Sequence, residues 1–112
     1  MIDRGEAMDE SEAMIREAVR LAPDSAAIID SLGWALFKRG RVDEAIPLLE
    51  RAAQGEPGDP EINEHLGDAY YTAGHRIEAR FAWNAALVYA EGAAAERLRG
   101  KIDRGLPASA AR

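Results

Sequence analysis

Apolar residues recur three and four positions apart along most of this chain, the spacing of one face of an α-helix. Ile29, Leu32, Gly33, Leu36 and Phe37 share such a face and predict a helix over about 26–39. Val42, Ala45, Ile46, Leu48, Leu49 and Ala52 predict a second helix directly after it. Gly40, between the two, supplies the positive backbone angle that a short helix–helix turn needs. Gly55, Pro57, Gly58 and Pro60 end the second helix. The pattern returns as helices over about 60–73 and 76–90, with Gly74 at their turn. A lone helix over about 8–21 precedes the first pair, and its Ile15, Ala18, Val19 and Leu21 look like the second helix of a pair. After it comes Pro23-Asp24-Ser25, where Asp24 or Ser25 is placed to cap the next helix. A final helix over about 93–104 is rich in Ala and Arg.

The chain repeats itself. Displaced by 34 residues, Leu32-Gly33 falls on Leu66-Gly67, Ala35 on Ala69, Gly40 on Gly74, Glu44-Ala45 on Glu78-Ala79 and Ala52 on Ala86. Large residues align too, Leu36 with Tyr70, Phe37 with Tyr71 and Leu49 with Trp83, and upstream Ala18 falls on Ala52 and Pro23 on Pro57. A fixed period of this length marks stacked supersecondary units. Gly33 and Gly67 let the first helix of each pair approach its neighbour closely, and Ala45 and Ala79 do the same from the second helix. Leu36, Tyr70, Leu49 and Trp83 are the wide residues that fill the space between, small against large in one register.

Leu32-Gly33, Leu36, Ala45, Leu49, Ala52 and Pro57, with Leu66-Gly67, Tyr70, Ala79, Trp83 and Ala86 in the same register, resemble the tetratricopeptide repeat (TPR). That resemblance implies an all-α fold, a right-handed superhelix (α-solenoid) of antiparallel helix pairs. It divides the chain into a flexible start over 1–7, a TPR domain over 8–104 and a frayed tail over 105–112. Within the domain it implies a half repeat over 8–25, repeats over 26–59 and 60–92, and a capping helix over 93–104, about two and a half units plus the cap. Ile29 and Asn63 stand where the family usually has Trp, Glu91 replaces its terminal Pro, and Gly55 replaces a Leu-like residue and is expected to loosen that helix end. The chain is similar to the C-terminal end of multi-repeat bacterial TPR proteins, some of them envelope-associated. As written it is expected in the cytoplasm, with a periplasmic or envelope setting if it is a fragment of a longer protein.

In such a superhelix the first helices line a concave groove. Carried over by position, the resemblance puts Ala27, Asp30, Trp34, Phe37 and Lys38 in that groove from the first repeat, and Glu61, Glu64, Asp68, Tyr71 and Thr72 from the second. The spacing agrees for the second set, which shares a stripe opposite Ile62, Leu66 and Ala69. Trp34 likewise lies on the flank away from Leu32 and Leu36. An acidic groove with aromatic walls is expected, formed by Asp30, Glu61, Glu64 and Asp68 around Trp34, Phe37 and Tyr71. Some TPR domains clamp a C-terminal carboxylate with Lys, Asn and Arg, but Asp30, Trp34 and His65 stand where such a clamp needs Lys and Asn. The implied partner is therefore a protein or peptide with basic and apolar residues, bound without catalysis or cofactor. The plain alternatives are a solvated acidic helix face for Glu61, Glu64 and Asp68, and a packing role between units for Trp34.

Composition narrows the rest. With 20 acidic against 14 basic residues the net charge is −6, which repels nucleic acid and anionic membranes. There is no cysteine, so disulfides, thiolate metal sites and cysteine nucleophiles are excluded. No apolar stretch approaches the ~20 residues of a membrane span. Glu61, Glu64, His65 and Asp68 have spacings compatible with a divalent metal, but carboxylates and a histidine on one helix arise readily by chance and no supporting shell accompanies them. Ser31, His65 and Asp30 lack any nucleophile turn, so an enzyme is not expected. Arg97, Arg99, Lys101 and Arg104 are expected to solvate the capping helix and favour its C-terminal end. A second functional class is self-assembly: the lone first helix leaves Met8, Met14 and Ile15 uncovered, which invites a homodimer through that helix or signals further repeats before it.

Overall fold

A computed structural model describes the backbone of residues 4–107 and the side chains of 9–107. Of the stretches expected to be flexible, residues 1–3 and 108–112 lie outside the described residues, as does the Met8 side chain. Six helices and no strand are present among the described residues: α1 (Arg4–Leu21), α2 (Ala26–Lys38), α3 (Val42–Gly55), α4 (Pro60–Thr72), α5 (Arg76–Tyr89) and α6 (Gly92–Arg104). α1 starts ahead of the expected position near residue 8. The helices form an α-solenoid, in which α2 packs on α3 and α4 on α5, with α1, α3 and α6 bridging to their sequence neighbours.

The 34-residue period is a structural period. α4 and α5 begin and end 34 residues after α2 and α3. Ser25 and Asp59 occupy equivalent N-caps, each accepting a hydrogen bond from a backbone N–H three residues on, at Ile28 and Ile62. Gly40 and Gly74 follow the first helices with φ of 82° and 89°. Around them Arg41 N–H donates to Leu36 C=O at 2.9 Å and His75 N–H to Tyr70 C=O at 2.8 Å, so each turn closes its helix with the same paired bonds.

Packing follows the small-to-large register. A Cβ on Gly33 would stand 2.8 Å from Leu49 Cδ2, and one on Gly67 only 2.3 Å from Trp83 Cδ1. Leu49, Trp83, Ala45, Ala79, Ala52 and Ala86 are fully buried. Leu32, Leu36 and Leu66 join the first core cluster, against which Tyr70 packs while half-exposed and hydrogen-bonded through its hydroxyl to Glu50. Gly55 is the last residue of α3, and a Cβ there would press on Ala26 Cβ at 3.3 Å. Asn63 is buried in place of the family's large aromatic and donates to Pro57 C=O at 2.9 Å, bracing the inter-repeat loop. Pro47 sits inside α3 on its exposed side, so the lost backbone bond leaves the buried face of Ala45, Leu49 and Ala52 continuous.

Glycine to alanine in a helix normally gains about 1 kcal/mol. At Gly67 the clash with a rigid, fully buried indole should reverse this, and Gly67→Ala is expected to cost about 3 kcal/mol. Leu49 has rotamers with which to yield, so Gly33→Ala should cost less. Urea unfolding of both variants checks the order; equal effects would mean that Trp83 moves as freely as Leu49.

Candidate functional site

α2, α4 and α6 enclose a cavity of about 480 Å³ lined by Trp34, Pro60, Glu61, Glu64, His65, Asp68, Ala94, Arg97, Leu98 and Lys101. Four of the expected groove residues, Trp34, Glu61, Glu64 and Asp68, therefore meet at one place. Asp30 is buried directly behind it, where both its carboxylate oxygens accept from His65 Nδ1, at 2.9 and 3.1 Å. A carboxylate has no proton to give, so that ring nitrogen is the protonated one and Nε2 faces outward. Nε2 stands 3.9 Å from Glu61, whose side chain is 78% exposed at the rim.

Trp34 is held by stacking. Its ring lies 3.9 Å from that of His65 at 17° and 4.9 Å from that of Phe37 at 18°, with Lys38 Nζ 5.3 Å from its centroid. Phe37 and Lys38 thus position the indole without lining the cavity. His65 stands where a carboxylate clamp needs Asn, but its contacts with Asp30 and Trp34 were not foreseen. Its partner Asp30 lies 35 residues away, and no spacing within one helix announces that contact.

The acidic stripe is not bare. Arg97 grips Glu64 with two parallel bonds, Nε to Oε2 at 2.7 Å and Nη2 to Oε1 at 2.8 Å. Lys101 bridges Glu64 at 2.7 Å and both oxygens of Asp68 at 3.0 Å. Asp68 also accepts from the buried Trp83 indole N–H at 3.0 Å, which ties α5 into the same network. The capping helix's basic residues were expected to face solvent, yet Lys101 is largely buried and Arg97, still half-exposed, reaches over to Glu64, because two carboxylates buried side by side demand compensation. Burial pushes Glu64 up, but the hydrogen bonds from Arg97 and Lys101 outweigh it and hold the carboxyl at about 2. Asp68 is more deeply buried, and burial wins over Lys101 there, raising its pKa.

Tyr71 and Thr72 lie beyond the cavity. Tyr71 packs with Trp83, whose centroid is 5.6 Å away, and its hydroxyl fills the space a Cβ on Gly105 would take. Thr72 Oγ1 is buried without a hydrogen-bond partner among the described residues. Glu61, Glu64, His65 and Asp68 do not converge on one point, since Glu64 and Asp68 turn to α6 and His65 to Asp30. No described helix is long and apolar enough to cross a membrane.

Sequence profiles of the tetratricopeptide repeat match residues 36–102 and 3–60. A TPR repeat-containing protein of Pseudomonas aeruginosa is 37% identical over 68 residues, 61% of this chain. The chain spans only 11% of that relative's length.

The Glu64 network makes stability pH-dependent in a defined sense. A carboxyl held at about 2 against an ordinary 4.5 contributes stability that is complete above 4.5 and is lost as pH falls towards 2. Asp68, raised, works oppositely: its contribution is present below its unfolded pKa and is lost as pH rises through the folded value. Glu64→Gln is expected to lower the melting temperature at neutral pH and to make the acid decline between pH 4.5 and 2 shallower. Glu12, Glu17 and Glu44, held down by hydrogen bonds from Arg16, Arg20 and Arg41, contribute to the slope that remains. An unchanged acid profile would show that Glu64 is not held down in solution.

Proposed function

This chain belongs to the tetratricopeptide repeat family, and from that membership we propose that it is a non-catalytic scaffold holding a segment of a partner protein in the cavity between α2, α4 and α6. TPR repeats generally mediate protein–protein interaction. The observation that carries the finer reading is Trp34, half-exposed at the cavity and fixed by Phe37 and His65. An indole already immobilised loses little conformational freedom on binding, and such anchors dominate interface energies. Pro60, Ala94 and Leu98 add apolar wall, and Glu61 adds a carboxylate at the rim that α6 does not engage.

The ligand that fits is a peptide with an apolar or aromatic side chain against Trp34 and an Arg or Lys reaching Glu61. Because Arg97 and Lys101 already neutralise Glu64 and Asp68, the selection for positive charge rests on Glu61 and the Asp30–His65 pair rather than on all four carboxylates. A second reading, self-assembly through α1, is favoured by Met14, which is 73% exposed.

Selection of a random peptide library on the immobilised chain should enrich sequences joining a basic residue to an apolar one. Trp34→Ala should weaken the selected peptides at least about tenfold while circular dichroism keeps its helical signal. Glu61→Gln should reduce both affinity and its salt dependence. Enrichment of acidic peptides, or binding indifferent to Trp34, would overturn the assignment; unfolding of Trp34→Ala would make the indole a packing residue instead.

A further inference from the structure

Ile77, Phe81 and Val88 are each more than 70% exposed, and all three lie on α5. With Asn84, also exposed, they occupy positions i, i+4, i+7 and i+11, the seam of a two-heptad helix pairing. The seam points directly away from the buried face of Ala79, Trp83 and Ala86 and contributes nothing to the α2–α4–α6 cavity. The repeat supplies an internal control. At the same positions one period earlier α3 carries Asp43, Pro47, Glu50 and Gln54, and one period before that α1 carries Asp9, Ala13, Arg16 and Arg20. The fold therefore does not need large apolar side chains there; only α5 carries Ile, Phe and Val at these positions.

We propose that this seam is a homodimer interface, in which α5 of a second copy packs antiparallel on α5. Antiparallel pairing brings Ile77 opposite Val88 of the second copy and Phe81 opposite its Asn84, so one stripe complements itself about a two-fold axis. The positions flanking the seam set Glu78 opposite Ala85 and Arg80 opposite Leu87 of the second copy, so no like charges meet across it. α5 itself carries only Arg76, Glu78 and Arg80, so the chain's excess of negative charge is absent from this face. A recess of about 310 Å³ beside Phe81, lined by Asn63, Leu66, Tyr70, Glu78 and Ala82, leaves room for a large side chain of the second copy. A seam of two heptads is small, so the dimer is weak, with a dissociation constant in the roughly micromolar range.

Sedimentation equilibrium of the full chain over about 1–200 µM should show a reversible monomer–dimer equilibrium. Phe81→Glu and Val88→Lys, both at exposed positions, should each weaken it at least about 100-fold while melting temperature and helicity hold. Met14→Glu and Trp34→Ala should leave it unchanged. Because the chain has no cysteine, engineered thiols are the sole ones: Ile77→Cys mixed with Val88→Cys should form a disulfide-linked dimer on mild oxidation, and Ile77→Cys alone should not. A monomer at every concentration, a dimer that survives both Phe81→Glu and Val88→Lys, a dimer dissolved by Met14→Glu, or cross-linking of Ile77→Cys with itself would each overturn the proposal.

Discussion

The architecture depends on how closely two helices can lie at one glycine. At Gly67 the indole of Trp83 occupies the volume a side chain would fill, and at Gly33 the Leu49 isobutyl group does the same. Glycine inside a helix costs about 1 kcal/mol relative to alanine. Burying a tryptophan returns about 5 kcal/mol on an area basis, so the close approach wins. It has a second consequence, because the sunken indole brings its N–H to Asp68 and thereby holds a carboxylate in the interior.

That buried carboxylate organises the C-terminal part of the chain. Asp68 and Glu64, one turn apart on α4, cannot both be sequestered without positive partners. Lys101 and Arg97, one turn apart on α6, supply them at matching spacing. The contact carries orientation as well as energy, since Arg97 meets Glu64 with two parallel bonds. α6 thus does more than cover the end of the stack. It forms one wall of the cavity, and it removes two carboxylates from the set available to a ligand, leaving Glu61 as the exposed acid beside Trp34.

The two faces of the layer then differ in chemistry. The cavity offers a fixed aromatic ring, an apolar wall and a charged rim. The outer side of α5 offers an apolar stripe where its repeat-mates α1 and α3 are mostly polar. A repeat array can carry such a difference because Ile77, Phe81 and Val88 take no part in the buried core.

Much of this was legible in the linear sequence, because repetition exposes constraint. The offset of 34 residues located every helix pair, and Gly40 and Gly74 declared their turns, since a backbone angle that only glycine adopts readily must be written as glycine. Gly33 and Gly67 announced close packing by the absence of a side chain. The groove stripe of Glu61, Glu64 and Asp68 could be read from helical spacing alone. What those carboxylates touch could not. The Asp30–His65 pair and the Arg97 and Lys101 contacts join residues 33 to 37 positions apart on different helices. Periodicity along one helix says which side chains share a face. It does not say which rotamer bridges to the next helix, and that is settled only when burial makes an unpaired charge too costly to leave.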